Sequence, residues 1–160
     1  MLVNITVVTQ NRLGLTRICL ESLLPTIRGR DIRVTVVDNA STDGSLEYLK
    51  GLASCEPQVA LYPLRRNMGV SVGANLGWAS VEADYYLKLD NDIEIHKSDW
   101  LDKLIDLMEA NPDVGMVAYK HCPWHRVTPV RLASGHMFLE SEGCNGSCGL
   151  IPRAVHPKIG

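Results

Sequence analysis

This chain has no long apolar run: nothing in it approaches the ~20 consecutive residues that a membrane-spanning helix requires, so no span is expected. Excess positive charge is also missing. Sixteen Lys and Arg stand against eighteen Asp and Glu, a net charge of −2. No basic stripe is present to neutralise phosphates, which argues against nucleic acid as the partner. The N-terminus shows no basic segment followed by an apolar core, so no secretory signal is read there. Five cysteines at irregular spacings make no disulfide framework. Free thiols in a reducing cytoplasm are the expectation, with a peripheral place at the inner face of the membrane compatible with it. Trp78, Trp100 and Trp124 are too dispersed for a stacking platform. No repeat, low-complexity tract or linker interrupts the 160 residues, a length that suits one domain with a sizeable core better than two.

What the chain does have is strands alternating with helices. Leu2 to Thr9 is β-branched and apolar, a buried first strand. Leu15, Ile18, Cys19, Leu23 and Ile27 fall on one face of a first helix, which Pro25 should kink or shorten. Ile32 to Val37 is a second strand ending at Asp38, and the turn residues 39–44 lead into a helix near Ser45 to Leu52. Val59 to Tyr62 is a brief third strand, and Ser71 to Val81 a third helix. A fourth strand opens at Tyr85. Ser98 is placed to cap a fourth helix from about Asp99, with Leu101, Leu104, Ile105 and Met108 inward and Asn111-Pro112 as its stop. Val114 to Tyr119 forms a further strand. Beyond it, Arg131 to Leu139 and Cys144 to Ile151 are weaker strand candidates, and Ala154 to Ile159 begins a helix. The pattern predicts an α/β fold: a three-layer α/β/α sandwich around a mostly parallel central sheet.

The chemistry-bearing residues fall at corresponding places. Thr9, Asn11 and Arg12 follow the first strand, Asp38 and Asn39 the second, and Arg65, Arg66, Asn67 and Gly69 the third. The fourth ends in Asp90-Asn91-Asp92. All lie at strand carboxyl ends, where open α/β sheets bind ligands. Two acids one residue apart repel and lose hydration unless a positive charge joins them, and a divalent cation holding a diphosphate supplies it. Simpler readings exist for each. Asp43 suits a helix cap, and one of Arg65 and Arg66 suits a solvated surface. Gly73 and Gly77 suit close helix–sheet packing, whereas Gly69 can also let backbone approach a ligand. Asp-Asn-Asp alone is also a common kind of polar turn.

Four segments taken together resemble a family. Thr9-Gln10-Asn11-Arg12, Val37 through Ser45, Asn67 through Gly77, and Leu89-Asp90-Asn91-Asp92 are similar, in order and spacing, to family-2 glycosyltransferases of the GT-A fold. The resemblance covers residues 2 to about 120. It implies transfer of a sugar from a nucleotide diphospho-sugar to an acceptor hydroxyl, with inversion, in polysaccharide or glycan biosynthesis. By the same resemblance Thr9, Asn11 and Arg12 border the nucleotide pocket, and Asp38, with Asn39 beside it, hydrogen-bonds the base. Arg66, Asn67 and Gly69 lie near the nucleotide and phosphates. Asp90 and Asn91 face the ribose or donor sugar, and Asp92, with Asp90, holds Mn²⁺ or Mg²⁺ on the diphosphate. The acceptor class, whether glycan, lipid-linked or protein, is left open.

The resemblance implies one GT-A domain over 1–160, with a donor-binding part at 1–120 and an incomplete start of the acceptor part at 121–160. The acidic base expected after the last helix is absent, and no catalytic base is assigned; Glu140 and Glu142 have nothing in their spacing to recommend them. A donor-binding module of weak or no activity is therefore the alternative to an enzyme. His121, Cys122, His125, Cys144 and Cys148 form a rival zinc constellation, although without tight paired knuckles. A nucleotidyltransferase would want a Gly-rich basic loop after the first strand, which Thr9-Gln10-Asn11-Arg12-Leu13-Gly14 does not supply.

Overall fold

A computed structural model describes residues 1–119, 127–131, 137–141 and 146–159. Its elements in order are β1 (Val3–Thr9), α1 (Leu13–Ile27), β2 (Ile32–Asp38), α2 (Ser45–Cys55), β3 (Val59–Pro63), α3 (Val70–Ala79), β4 (Tyr85–Asp90), α4 (Trp100–Ala110), β5 (Val117–Ala118), β6 (Val127–Arg131), β7 (Met137–Ser141), β8 (Cys148–Pro152) and α5 (His156–Ile159). A six-stranded sheet runs β3-β2-β1-β4-β8-β5. The first four of these strands are parallel, and β8 lies antiparallel to both β4 and β5. β6 and β7 pair separately as an antiparallel ribbon. The mostly parallel sheet expected from the strand–helix alternation is present.

Alternation along the strands assigns the two faces. Val3, Ile5 and Val7 of β1, Val34 and Val36 of β2, and Leu87 and Leu89 of β4 point to one side. There they bury against Leu20, Leu23 and Ile27 of α1, Leu49 of α2, and Leu101, Leu104 and Ile105 of α4. The opposite face of β1 carries Asn4, Thr6 and Val8, on which α3 packs closely. A Cβ added at Gly73 would lie 2.8 Å from a Val8 methyl, and one at Gly77 would meet the Thr6 side chain more closely still. The packing reading of these two glycines is borne out. Because α3 lies so near, the Gly77 carbonyl accepts from the buried Asn4 amide at 2.9 Å, and Asn4 accepts from Thr35 at 3.0 Å. On the same face His156 of α5 stacks on Tyr86, ring centroids 4.3 Å apart, and meets Trp78 edge-on.

Several local expectations are corrected. Leu15 and Ile18 are exposed, not inward; the buried stripe of α1 is Thr16, Cys19, Leu20, Leu23, Leu24 and Ile27. Residues 15 and 18 each precede a stripe member by one position, a rotation of about 100° away from the sheet. Pro25 lies inside α1, which ends two residues later. The position before α4 is Asp99 and not Ser98, and no side chain caps that end. The Asp99 carboxylate is taken by Lys103 at 2.7 Å, which also holds its carboxyl below the ordinary range. The strand expected at Val114 to Tyr119 contracts to the two residues of β5, whose pairing is limited to Leu150 and Gly149. The stretch from Arg131 to Leu139 is not one strand: Arg131 closes β6, and Met137 opens β7. Of the Cys144 to Ile151 candidate, the described strand is β8, beginning at Cys148.

Candidate functional site

Register lines up the four parallel strand ends. Thr9 lies opposite Asp38, Asp38 opposite Pro63, and Val8 opposite Asp90. The loops that leave these ends therefore meet along one edge of the sheet, although they are separated by up to 80 residues of chain. Backbone strain concentrates at the same edge. Asn11, Arg12 and Ala40 have φ of 57°, 62° and 62°, and these are the non-glycine residues with positive φ among those described. Such conformations persist only where the surroundings over-determine them, and they gather at functional sites.

Side-chain amides lace these loops together. Asn11 donates its backbone N–H to Ser41 Oγ at 2.8 Å, and its Oδ1 accepts from Thr42 N at 2.8 Å. Asn39 donates Nδ2 to Asn67 Oδ1 and accepts from Met68 N, both at 2.8 Å. Asn67 Oδ1 also accepts from Gly69 N at 2.8 Å, just before α3. Gly69 itself needs φ of 82°, a backbone shape that side-chain-bearing residues rarely take. Asp43 ties two helix starts together: it accepts from Leu13 N at 2.9 Å and from Ser45 N at 3.1 Å. The Ser45 hydroxyl and the Leu13 N–H hold its carboxyl below the ordinary range.

Thr9 and Asn91 face inward. The Thr9 hydroxyl shares a 2.8 Å hydrogen bond with Thr16, and Asn91 donates Nδ2 to both hydroxyls at 3.1 Å. Asn91 thus pins the Asp-Asn-Asp turn to the first loop and directs the carboxylates on either side of it outward. Cys19 lies beneath the turn, its thiol 3.5 Å from the Asp90 carbonyl and pushed up to about 12 by burial. That thiol stays protonated and acts as packing.

The acids themselves are unevenly provided for. Asp38 is 1% exposed; its Oδ2 accepts from Ser41 N at 3.2 Å, while Oδ1 has no hydrogen-bond partner among the described residues. Asp90 is paired with Lys88, whose ammonium also donates to the Gly146 carbonyl at 2.9 Å. Asp92 meets Arg12 at 3.3 Å. Arg66 is exposed, its Nε 3.1 Å from the Met68 sulfur. A cleft of about 370 Å³ is lined by Ile93, Ile95, Trp100 and Tyr119 together with Glu94 and His96.

Lys88, Ser41 and Thr16 were not singled out by sequence reasoning. A signal existed for Lys88: a lysine two residues before Asp90 on a strand must share its face. Ser41 and Thr16 carry no such mark. Among the described residues no group of three or more His, Cys, Asp or Glu is placed to hold a metal. The Asp90 and Asp92 carboxylates nevertheless fit a hard cation of the Mg²⁺ or Mn²⁺ type. Such ions keep several waters and are bound by one or two carboxylates plus the phosphates of a substrate. The rival zinc set cannot be assembled here, because His121, Cys122, His125 and Cys144 lie outside the described residues.

Comparison with known proteins places this geometry. The sequence profile described as "Glycosyl transferase family 2" matches residues 4–143. The chain belongs to glycosyl transferase family 2. A relative named "Uncharacterized glycosyltransferase", from Haemophilus influenzae, is 28% identical to this family-2 chain over 82 residues, covering 51% of the chain and 32% of the relative. Among solved structures, a mannosyltransferase from Pyrobaculum calidifontis in complex with GDP-Man and Mn²⁺ superimposes over 99% of the chain. Its TM-score is 0.78, its identity 20%, and 46% of it is covered. S. aureus TarS 1-349 gives a TM-score of 0.70 at 19% identity, over 99% of this chain and 49% of that one. These likenesses establish the GT-A fold. The family-2 chain spans about a third of that relative and about half of those two structures. No helix among the described residues is long and apolar enough to cross a membrane.

Proposed function

We propose that this chain binds a nucleotide diphospho-sugar and serves a glycosyltransferase that passes the sugar, with inversion, to an acceptor hydroxyl. The observation that carries the reading is the laced rim: four strand ends in register, with three loops hydrogen-bonded to one another around two outward carboxylates. Membership of the family supports sugar transfer. The mannosyltransferase complex with GDP-Man and Mn²⁺ and a TarS structure in complex with UDP-GlcNAc support a nucleotide sugar as the donor class.

Each residue then has a task that its chemistry suits. Asp38 Oδ1 is an acceptor without a donor among the described residues, and the ring N–H of uracil or guanine is a donor of the right kind. Leaving such a buried oxygen unsatisfied costs ~1–3 kcal/mol, which a bound base relieves. Asn39 and Asn67 hold the second and third loops at a fixed separation beside the nucleotide. Arg66, at the same edge and exposed, offers charge-assisted hydrogen bonds to phosphate oxygens. Asp92, with Asp90 beside it, is the carboxylate that would hold Mn²⁺ or Mg²⁺. A cation bound there neutralises charge that builds on the departing diphosphate. The cleft lined by Ile93, Ile95 and Trp100, residues that follow these acids in the chain, suits the acceptor.

The test is a panel of nucleotide sugars offered with Mn²⁺, following nucleotide binding and sugar release separately. Binding of GDP or UDP with release or transfer of sugar is the expected result. Binding with no sugar ever released or transferred would sink the enzyme reading and leave a donor-binding module. No binding of either nucleotide would sink both.

A further inference from the structure

We propose that Arg12 is a place-holder for the divalent cation: its guanidinium neutralises Asp92 in the ligand-free protein and exchanges that carboxylate for the diphosphate when the donor arrives. The inference rests on the donor-binding reading above and adds an order of events to it.

The two carboxylates of Asp90-Asn91-Asp92 each have a cation supplied by the chain, and the two pairs differ in kind. Lys88 is shielded, with its side chain 20% exposed, and it is held a second time by the Gly146 carbonyl at 2.9 Å. The Arg12 and Asp92 side chains are 59% and 43% exposed, and they share one contact at 3.3 Å. Exposed pairs of this sort are weak and open readily, whereas a shielded pair with a further hydrogen bond persists. Asp92 is therefore the carboxylate whose counter-ion can leave, and Lys88 keeps Asp90 neutralised while it does. Were both cations to leave at once, two like charges would face each other across one residue.

The backbone under Arg12 is tied on both sides. Arg12 sits at φ 62° and ψ 40°, its carbonyl accepting from Thr16 N at 3.0 Å as α1 begins. On one side Asn11 is tied to Ser41 and Thr42, and on the other Leu13 N is tied to Asp43. The exchange is thus a side-chain rotation about a rigid base. Guanidinium suits it, since the same planar fork that pairs with a carboxylate pairs with phosphate oxygens. Arg12 should compete with the cation when the cation comes alone and cooperate with it when the cation comes with a diphosphate.

That opposition of sign is the test. Mn²⁺ binding to the protein is measured by the loss of the free-ion electron paramagnetic resonance signal, first with Mn²⁺ alone and then with GDP or UDP present. Arg12→Met should bind Mn²⁺ alone about two- to fivefold more tightly than wild type. With nucleotide present the same variant should bind about tenfold or more weakly, because the charge-assisted hydrogen bonds to phosphate are gone. Arg17→Met, which removes an equal charge one turn along α1, should leave both affinities near wild type. The place-holder role is overturned if Arg12→Met moves both affinities the same way, or if Arg17→Met matches it. Failure of the donor-binding reading looks different: wild type binds neither GDP nor UDP, and Asp92→Asn leaves Mn²⁺ affinity unchanged.

Discussion

Asn91 donates its amide to Thr9 and Thr16 at 3.1 Å inside the protein, while the next residue, Asp92, meets Arg12 at the surface. Asn91 and Asp92 are the central residues of a turn closed by Ile93 N donating to the Asp90 carbonyl at 3.3 Å. One side chain is buried and the other exposed, so one holds the fold and the other is free to meet a ligand. The two substitutions should separate cleanly. Asn91→Ala removes the donor shared by two buried hydroxyls and should lower unfolding stability by ~1–3 kcal/mol, read by urea titration. Asp92→Asn should leave stability within about 0.5 kcal/mol, as exposed substitutions do. In a calorimetric titration it should nevertheless weaken Mn²⁺-dependent nucleotide binding far more than Asn91→Ala does. Equal effects on binding would remove Asp92 from the cation's ligand set. Asp38 illustrates what residue-level reading can miss. Its place at a strand end is visible in the chain, but the orphaned Oδ1 appears only once Ser41 N has claimed the other oxygen.

Helices reach this sheet by two different means, and their glycines respond accordingly. α3 approaches so closely that Gly77 has no room for a methyl group against Thr6, and its carbonyl accepts from Asn4. Gly77→Ala should cost ~1–3 kcal/mol through overpacking. Gly51, exposed within α2 and with open space around it, should respond in the opposite sense. Gly51→Ala should stabilise by ~0.4–1 kcal/mol by restricting the unfolded chain. Thermal melts of the two variants check both signs, and a stabilising Gly77→Ala would contradict the close packing. The starts of α1 and α2 depend jointly on Asp43, whose carboxyl is held below its ordinary value of 3.8 chiefly by the Ser45 hydroxyl. A carboxylate with a depressed folded pKa contributes stability that is fully present above the unfolded value and is lost as the pH falls through the folded one. The stability gap between wild type and Asp43→Asn should therefore stay constant above about pH 5 and close progressively below 3.8. A gap unchanged down to about pH 2 would show that the ionised form is not what matters there.

At the scale of the whole molecule, the sheet order sets where stability concentrates. β1 is hydrogen-bonded on both sides, to β2 and β4, and buries side chains on both faces. β3 is a sheet edge, as is the two-residue β5. Native-state hydrogen exchange should find the β1 amides slowest and those of β3 and β5 much faster. Protection in β5 matching that in β1 would argue that further chain covers that edge. The same architecture explains the site's position. β1, β2 and β4 are each hydrogen-bonded on both sides, and all deliver their loops to one edge, so the candidate site residues are short extensions of fully paired strands.

The residues alone determined the strand–helix alternation, the mostly parallel sheet, and the four strand-end segments that carry the polar chemistry. Those follow from local periodicity and turn chemistry, which any stretch of chain displays without its partners. Tertiary structure decided the rest. The buried stripe of α1 includes Thr16 and Leu20 in place of Leu15 and Ile18, because the rotation of a helix on a sheet is decided by packing and not by its own periodicity alone. Strand β8 proved antiparallel, a matter of pairing that its composition does not encode. The pairing of Arg12 with Asp92 and the inward turn of Asn91 depend on contacts between residues as much as 82 positions apart. No local pattern records such distances; only the packed sheet, by laying Thr9, Asp38 and Asp90 along one edge, brings those charges within reach of each other.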